Sequence, residues 1–154
     1  MLSQEKVAKL RAAGLEIRPM ALTGSTIPLS LYLSPVKAGR PAYASDERGE
    51  DIDLVPWLIP YPEKSFLVRV RGDSMVGFGI LEGDMLVVEQ GVRPKVGDIL
   101  IAEIQGSYTV KQLGRHEGQP ALLAGNADYA PIRIVPGETR IGGIVRSVVR
   151  RYGA

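Results

Sequence analysis

The feature that most constrains the fold of this 154-residue chain is a succession of short apolar segments between residues 65 and 149, separated by glycine-rich connections. In the first of these segments, Phe66, Val68 and Val70 occupy every second position, and this period of two predicts a strand over residues 65–71. Further strands are predicted at residues 84–89, 98–104, 107–113, 121–123, 132–135 and 141–149, and Gln105-Gly106 predicts a hairpin-type turn between the second and third of these. Because no helical period separates them, the pattern predicts a mainly β domain with a folded-over antiparallel sheet or partial barrel.

The segment that precedes these strands predicts much less regular structure. Residues 3–13 predict one short helix, with Ser3 as its cap and Glu5 four residues before Lys9. A single helix cannot form a helix-turn-helix DNA reader, which needs at least two packed helices. We therefore expect residues 1–30 to form a weakly structured extension.

Between this extension and the strand at 65–71, the chain alternates between apolar and charged stretches. Residues 27–33 are apolar enough for a strand, whereas residues 42–53 predict an exposed linker. Residues 54–62 are apolar but interrupted by prolines. We expect them to lie on the core surface without regular strand pairing, with Trp57 as a packing residue.

Composition excludes several classes of protein. The chain has no cysteine and a single histidine, His116, which stands between two charged residues in a predicted polar loop. Disulfides, thiol catalysis and a histidine-based metal cluster are therefore not expected, and we predict no metal or cofactor. The formal net charge of +2 is small for a dedicated DNA reader. No apolar run is long enough to span a membrane and the N-terminus lacks a signal-peptide core, so we expect a soluble cytoplasmic protein.

Ser74 is the first candidate for a catalytic residue. It follows the predicted strand at residues 65–71, from which only Gly72 and Asp73 separate it. Glycine permits a tight turn there, and such a turn can present the serine hydroxyl to a site. Most serines that follow Gly-Asp only cap a turn. A serine becomes a nucleophile when a neighbouring base takes its proton, and a desolvated lysine is one such base.

Lys111 is the candidate base, within the predicted strand 107–113. Strand alternation puts Thr109, Lys111 and Leu113 on one face of that strand. If this face is turned inward, burial lowers the pKa of the lysine toward the range that a general base needs. If it is turned outward, Lys111 is an ordinary exposed residue of an edge strand, and the sequence alone leaves both possibilities open.

Several segments in the last two-thirds of the chain resemble, in the same order, the self-cleaving domain of the LexA/UmuD family. They are Gly72-Asp73-Ser74-Met75, Gly79-Ile80, Gly83-Asp84-Met85-Leu86-Val87-Val88, Gly97-Asp98-Ile99, Thr109-Val110-Lys111-Gln112-Leu113 and Asn126-Ala127-Asp128-Tyr129-Ala130-Pro131-Ile132. The resemblance implies the C-terminal peptidase domain of that family, made of folded-over antiparallel sheets. A short N-terminal helix and an extended arm would precede it.

The resemblance also implies roles for individual residues. Ser74 would be the nucleophile and Lys111 the general base, while the backbone N–H groups of Asp73 and Ser74 would form the oxyanion hole. The bond cut would join Ala38 to Gly39, where small side chains let the backbone approach the serine. Without Ser74 and Lys111, the same Ala-Gly pair would indicate only an ordinary loop.

A domain organisation follows from this resemblance. Residues 1–38 would be an arm removed by self-cleavage, residues 39–64 a linker, and residues 65–154 a serine-lysine peptidase and dimerisation domain. An arm in place of a DNA-binding domain is closer to UmuD-like proteins of the SOS response to DNA damage than to LexA repressors.

The same resemblance implies partners. The processed homodimer would assist an error-prone Y-family translesion DNA polymerase in SOS mutagenesis, and a RecA–single-stranded DNA filament would promote cleavage. We expect neither sequence-specific DNA binding nor a membrane partner. One alternative is a LexA-like repressor dimerisation and cleavage module without its own DNA-binding domain. Another is a signal peptidase, against which the missing membrane anchor argues.

The last predicted strand has a second possible role. Its apolar residues, Ile141, Ile144, Val145, Val148 and Val149, are too numerous for a solvated tail. They could pair with a second copy of the chain or close the core of their own copy, and the sequence does not choose between these roles.

Overall fold

The structure, a computed structural model, describes residues 4–12, 16–18, 28–32, 39 and 48–153. Two α-helices, α1 (Gln4–Ala12) and α2 (Leu54–Leu58), and two 3-10 turns at Pro62–Lys64 and Val76–Phe78 lie in these ranges. The strands are β1 (Glu16–Arg18), β2 (Pro28–Tyr32), β3 (Arg48–Asp53), β4 (Ser65–Arg69), β5 (Met85–Glu89), β6 (Ile99–Ile104), β7 (Ser107–His116), β8 (Gln119–Leu123), β9 (Ile132–Arg133) and β10 (Thr139–Val149).

One antiparallel sheet contains eight of these strands, in the order β1-β4-β5-β10-β6-β7-β8-β9. Strands β2 and β3 form a separate antiparallel pair. The prediction of a mainly β domain is therefore confirmed. The predicted turn at Gln105 and Gly106 joins β6 to β7, and both residues have positive φ, of 49° and 82°. Strand β7 runs three residues further than predicted, to His116, because its second half pairs with β8.

Strand β10 links the two halves of the sheet. Its first half pairs with β6 and its second half with β5, and register shifts occur on both sides of Ile144. Such irregularities bend a strand and increase its twist. The bend requires close packing at Gly143, where an added Cβ would come within 2.6 Å of Val88 Cγ1 and 2.8 Å of Glu89 O. One bent strand thus serves both halves of a sheet that folds over, as the sequence predicts.

The main core lies on one face of this sheet, where Phe66, Val68 and Val70 are buried as their alternation predicts. Met75 and Ile80, from the segment that follows β4, are also fully packed in this core. The complete cluster is Phe66, Val68, Val70, Met75, Ile80, Leu86, Val88, Ile101, Tyr108 and Val110. Burial of apolar area on this scale anchors the loop that follows β4 as firmly as the strands.

Three segments before β4 differ from the sequence prediction. Within the predicted linker 42–53, the residues of β3 form a strand despite their charge, because β2 supplies a partner for their backbone groups. Residues 42–47 of that linker lie outside the described residues. Strand β1, in what was expected to be a weakly structured extension, pairs with the edge of β4.

The third difference concerns the apolar, proline-containing segment after β3. Residues 54–58 form helix α2, since Pro56 falls in the first helical turn, where its missing N–H removes no hydrogen bond. The interpretation of Trp57 as a packing residue is wrong, because its side chain is 68% exposed. The helix contacts the sheet through its end, where Ser147 Oγ donates a hydrogen bond of 2.7 Å to Leu58 O.

Candidate active site

Ser74 lies on a turn that follows β4, which we call the serine turn (residues 72–78). Gly72 opens it with φ of +85°, a left-handed conformation that favours glycine. The next residue after the serine, Met75, is buried in the main core with 2% of its surface exposed. The serine is therefore held between a glycine that sets the direction of the chain and a methionine that fixes its position.

Lys111 lies in the middle of β7, opposite the apolar residue Leu100 of β6. Its Nζ donates hydrogen bonds to Ser74 Oγ at 3.1 Å, Thr109 Oγ1 at 2.8 Å and Val110 O at 3.0 Å. The residue is only 5% exposed. Both faces of β7 are therefore covered, since Tyr108 and Val110 on the opposite face lie in the main core. Lys111 is not an exposed residue of an edge strand, because β7 lies between β6 and β8.

Burial determines the electrostatics of this amine. Removal from water disfavours the charged ammonium form and lowers the pKa of Lys111 below its ordinary value. Among the described residues, no carboxylate forms an ion pair with Lys111 that would restore this pKa. The lysine thus combines contact with a serine hydroxyl and a lowered pKa.

A second loop, the asparagine loop (residues 125–129), packs against the serine turn. Gly125 N donates a hydrogen bond of 2.7 Å to Ser74 O, and Gly77 N donates one of 2.7 Å to Gly125 O. Asn126 Nδ2 donates to Asp73 O at 3.2 Å. The asparagine loop therefore bonds to the backbone on both sides of the serine and fixes it.

Two glycines make this close approach possible. A Cβ added at Gly77 would overlap Gly125 O, and a Cβ added at Gly125 would lie 2.7 Å from Phe78 Cδ2. Real Cβ atoms do not approach other atoms so closely, so a side chain at either position would push the two loops apart. Glycine here serves contact between backbones and not a positive φ.

The sequence prediction did not assign roles to the residues of the asparagine loop. It included residues 126–132 only as part of the family resemblance. One local signal was available, because Asp128 N donates to Asn126 Oδ1 at 3.0 Å, a turn that asparagine commonly forms with the residue two positions on. Nothing local could indicate that Tyr129 OH donates to Asp73 Oδ1 at 2.7 Å, 56 residues away.

The backbone N–H groups of Asp73 and Ser74 are two hydrogen-bond donors next to the serine hydroxyl. Within the ranges that the structure describes, neither N–H donates a hydrogen bond to a protein acceptor. Two neighbouring amide donors beside a serine hydroxyl are the arrangement that stabilises a developing oxyanion. The serine turn therefore places two backbone N–H groups without a protein acceptor among the described residues next to the Ser74 hydroxyl.

The predicted cleavage site is only partly described. Ala38 lies outside the described residues. Gly39 is exposed, and a Cβ added there would have no heavy atom within 4 Å. Gly39 is therefore not enclosed by the site in this conformation.

The described residues contain neither a candidate metal-binding cluster nor a helix that could span a membrane. In the part of the chain that the structure describes, no three His, Cys, Asp or Glu side chains gather where they could hold a metal ion. None of the helices in those ranges has the length and apolar character needed to span a bilayer. His116 lies at the end of β7 with its side chain 54% exposed.

The chain is similar to known proteins over most of its length. The family described as Peptidase S24-like matches residues 30–146. The chain is 39% identical over 127 residues to Protein SamA of Salmonella typhimurium, a match that covers 82% of this chain and 87% of that protein. It is 36% identical over 121 residues to Protein ImpA of Escherichia coli, covering 79% and 83%. It is 37% identical over 129 residues to the LexA repressor of Carboxydothermus hydrogenoformans, covering 82% of this chain but only 61% of the repressor.

Proposed function

Because the chain belongs to the Peptidase S24-like, or LexA/UmuD, family, we propose that it is a serine peptidase that cuts itself through Ser74 and Lys111. One observation carries the proposal: Lys111 Nζ lies 3.1 Å from Ser74 Oγ. The lysine is buried, and its pKa is lowered by that burial. Contact with the serine and a lowered pKa, which makes the neutral amine more accessible, are the two properties that a lysine needs to act as the base for a serine.

The acceptors around Lys111 suggest how the proton moves. A charged ammonium has three N–H donors, and three acceptors surround this Nζ. In the neutral amine, two N–H groups remain bonded to Thr109 Oγ1 and Val110 O, while the lone pair faces Ser74 Oγ. The serine hydroxyl then donates its proton to that lone pair, and the charged state recovers all three hydrogen bonds.

The chemical steps follow from these positions. Ser74 Oγ attacks the carbonyl carbon of Ala38 as its proton passes to Lys111, and the backbone N–H groups of Asp73 and Ser74 stabilise the resulting oxyanion. The bond to Gly39 N breaks as Lys111 returns the proton to that nitrogen. Water, activated by the same lysine, then hydrolyses the ester between Ala38 and Ser74. Each donor of this type typically contributes about 3 kcal/mol of transition-state stabilisation.

The proposed cut divides the chain into the arm of residues 1–38 and the product 39–154. Within the product, residues 39–64 form a connection and residues 65–154 the peptidase and dimerisation domain. Cleavage requires the bond between Ala38 and Gly39 to contact Ser74. We propose that the conformation in which residues 34–41 lie in the site is a minor state that a partner can stabilise.

The experiment that tests the proposal is incubation of the purified full chain at neutral and alkaline pH, followed by a denaturing gel and intact-mass analysis. We expect two fragments, residues 1–38 and 39–154. The matched control is Ser74→Ala, which must remain uncut under the same conditions. A cut at any other bond would contradict the assignment of Ala38 and Gly39, and cleavage of the Ser74→Ala chain would contradict the nucleophile.

We propose further that the processed protein acts as a UmuD-like component of the SOS response in the cytoplasm, where its homodimer assists a Y-family translesion DNA polymerase. The similarity to SamA and ImpA, which are UmuD-like members of the family, supports this role. The similarity to a LexA repressor supports the alternative, a LexA-like dimerisation and cleavage module without its own DNA-binding domain.

The promoting partner is proposed to be a RecA filament on single-stranded DNA, without sequence-specific DNA binding by this chain. RecA, single-stranded DNA and a nucleoside triphosphate together should accelerate cleavage at neutral pH, because the filament binds the cleavable conformation more tightly. DNA alone should not accelerate it. Equal acceleration by DNA alone would contradict a filament mechanism and direct attention to the arginines near the C-terminus.

The proposed dimer would use β10, whose apolar residues divide between the core and the surface. Ile144 is 2% exposed and closes the core, whereas Ile141 and Val148 are 38% and 40% exposed. Exposed apolar side chains on one strand are available to a second copy. Val148→Asp should therefore produce a folded monomer in light scattering. A folded variant that remains dimeric would exclude this strand face as the interface.

A further inference from the structure

Tyr129 contacts the residue before Ser74 and also Lys111, and so lies beside both members of the proposed Ser74–Lys111 dyad. Its hydroxyl donates a hydrogen bond of 2.7 Å to Asp73 Oδ1, on the residue that precedes Ser74. Lys111 Nζ lies over its ring, 5.9 Å from the ring centre. Tyr129 itself is 43% exposed, while Lys111 is 5% exposed. The tyrosine thus stands between solvent and the buried amine, with its hydroxyl bound to the serine turn.

We propose that Tyr129 is a positioning residue of the self-cleavage reaction: its hydroxyl holds the Asp73 side chain, and with it the serine turn, while its ring shields the amine of Lys111 from water. This inference rests on the proposed function, because it concerns the same dyad. It assigns Tyr129 no contact with the reacting atoms.

The hydroxyl contributes to a set of bonds that converge on Asp73 and Ser74. Asn126 Nδ2 donates to Asp73 O at 3.2 Å, and Gly125 N donates to Ser74 O at 2.7 Å. The bond from Tyr129 to the Asp73 side chain adds the only contact in this set that involves a carboxylate. The neighbouring N–H groups of Asp73 and Ser74 are the proposed oxyanion donors, so a turn that shifts would move them as well. Donors of this kind act only when they are oriented before the reaction begins.

The hydrogen bond to the Asp73 carboxylate favours the protonated form of the tyrosine and raises the pKa of Tyr129 above its ordinary value. An ionised tyrosine could not donate this bond, and two negative oxygens would repel each other. The contact therefore favours the form of Tyr129 that can donate to Asp73.

The ring has two opposite effects on Lys111. A cation above an aromatic face is attracted to it, which favours the ammonium form, whereas exclusion of water favours the neutral amine. The distance of 5.9 Å is near the outer limit of about 6 Å for a cation–π contact. Exclusion of water is therefore the larger effect, in agreement with burial as the cause of the lowered pKa of Lys111.

Few other titratable groups face this part of the site. From the serine turn, Asp73 is bound to Tyr129, and from the asparagine loop, Asp128 acts on the same tyrosine. On the neighbouring strand β6, the residue opposite Lys111 is the apolar Leu100. Changes in the pH dependence of cleavage after substitution of Tyr129 therefore report mainly on water access to Lys111.

Two substitutions at Tyr129 separate the hydroxyl from the ring. Tyr129→Phe keeps the ring and removes the hydrogen bond, so we expect cleavage to slow by about threefold to tenfold. The midpoint, which is the pH at which the cleavage rate reaches half its maximum, should not change. Tyr129→Leu removes the ring as well, so water reaches the amine and the midpoint should move upward, toward the ordinary lysine value. A residue with a purely structural role would change the rate without this selective shift of the midpoint.

A double-mutant cycle tests the contact with Asp73. Tyr129→Phe combined with Asp73→Ala should cleave no more slowly than the slower single variant, because both changes remove the same hydrogen bond. Asp73→Asn retains an acceptor oxygen and should preserve most of the rate when Tyr129 is present. Multiplicative effects of Tyr129→Phe and Asp73→Ala would contradict a shared contact.

The result can be distinguished from failure of the proposed function. If the wild-type chain does not cut itself at any pH, the proposed function is wrong. If the wild-type chain cleaves, and both Tyr129 variants keep its rate and midpoint, only the role of Tyr129 is wrong. A readout without cleavage completes the test: in full-length Ser74→Ala protein, Tyr129→Phe should speed hydrogen exchange at residues 73–78, and unchanged exchange would overturn the inference.

Discussion

Arg150 binds Asp84 through two hydrogen bonds of 2.6 Å each, from Nε to Oδ1 and from Nη2 to Oδ2, although 66 residues separate them. The Asp84 side chain is 1% exposed and that of Arg150 30% exposed. Arg150 Nη2 also donates to Gly79 O at 2.8 Å, and Leu81 N donates to Asp84 Oδ2 at 2.8 Å. The end of the chain thus fixes the loop that leads away from the serine turn.

This relationship predicts a pH-dependent loss of stability in Arg150→Met. The hydrogen bonds from Arg150 lower the pKa of Asp84 below its ordinary value of 3.8. A group with a lowered folded pKa stabilises the fold above its unfolded pKa, and this contribution disappears as pH falls through the folded pKa. The difference in free energy of unfolding between wild type and Arg150→Met should therefore be largest near neutral pH and shrink below about pH 4.

Urea unfolding at several pH values measures this difference. Arg151→Met is the matched control, because it removes a neighbouring exposed arginine and leaves the Asp84 contacts intact. It should unfold like the wild type at every pH. A constant difference between wild type and Arg150→Met from neutral to acidic pH would contradict the ion pair as its cause.

Removal of either member of the dyad should abolish self-cleavage. Ser74→Ala lacks the nucleophile and Lys111→Ala lacks the base, so each should reduce the rate by at least about a thousandfold. Both chains should remain folded, because Met75 and the strand pairing of β7 hold the site in place. Gel densitometry gives the rate and circular dichroism the fold. Lys95→Ala, which changes an exposed lysine, is the control and should cleave normally.

The rate of cleavage should rise with pH. Burial lowers the pKa of Lys111 below its ordinary value of 10.5, so the neutral amine appears at a lower pH than in a free lysine. Below the midpoint, the rate should increase about tenfold per pH unit, in proportion to the neutral fraction. Single-turnover rates across a series of buffers measure the midpoint. A profile that is flat from neutral to alkaline pH would rule out a lysine base.

Side chains at the two contact glycines should disturb the serine without removing it. Gly77→Ala and Gly125→Ala each force a Cβ into the contact between the serine turn and the asparagine loop. We expect cleavage to slow by about tenfold or more, because small displacements of reacting groups are costly. Gly142→Ala is the control, since its nearest neighbour, Ile101 Cγ2, lies 3.4 Å away. If all three variants cleave equally, the contact does not position Ser74.

Local patterns were sufficient for much of the fold. The period of two at Phe66, Val68 and Val70 predicted a strand with those side chains buried, and all three are buried. The same reasoning located the turn at Gln105 and Gly106. These features depend on neighbouring residues only, since alternation and turn geometry are set by the backbone over a few positions.

Other features were determined by partners that the sequence does not identify. The charged residues of β3 form a strand because β2 lies beside them, and α2 leaves Trp57 exposed. Propensity predicts neither result, because pairing and burial depend on what lies opposite a segment in the fold.

The candidate site likewise combines features that local sequence predicts with contacts that only the fold determines. The sequence by itself determined that Ser74 follows a strand and a glycine, and that Thr109 and Lys111 share a face of another strand. It could not determine that both faces of that strand are buried at Val110 and Lys111, because burial depends on what packs against the strand in the fold. Only the order of strands in the folded-over sheet brings Lys111 Nζ within 3.1 Å of Ser74 Oγ and Tyr129 OH within 2.7 Å of Asp73 Oδ1. Tertiary structure decided these contacts because they join backbone segments 37 and 56 residues apart, across which no local pattern extends.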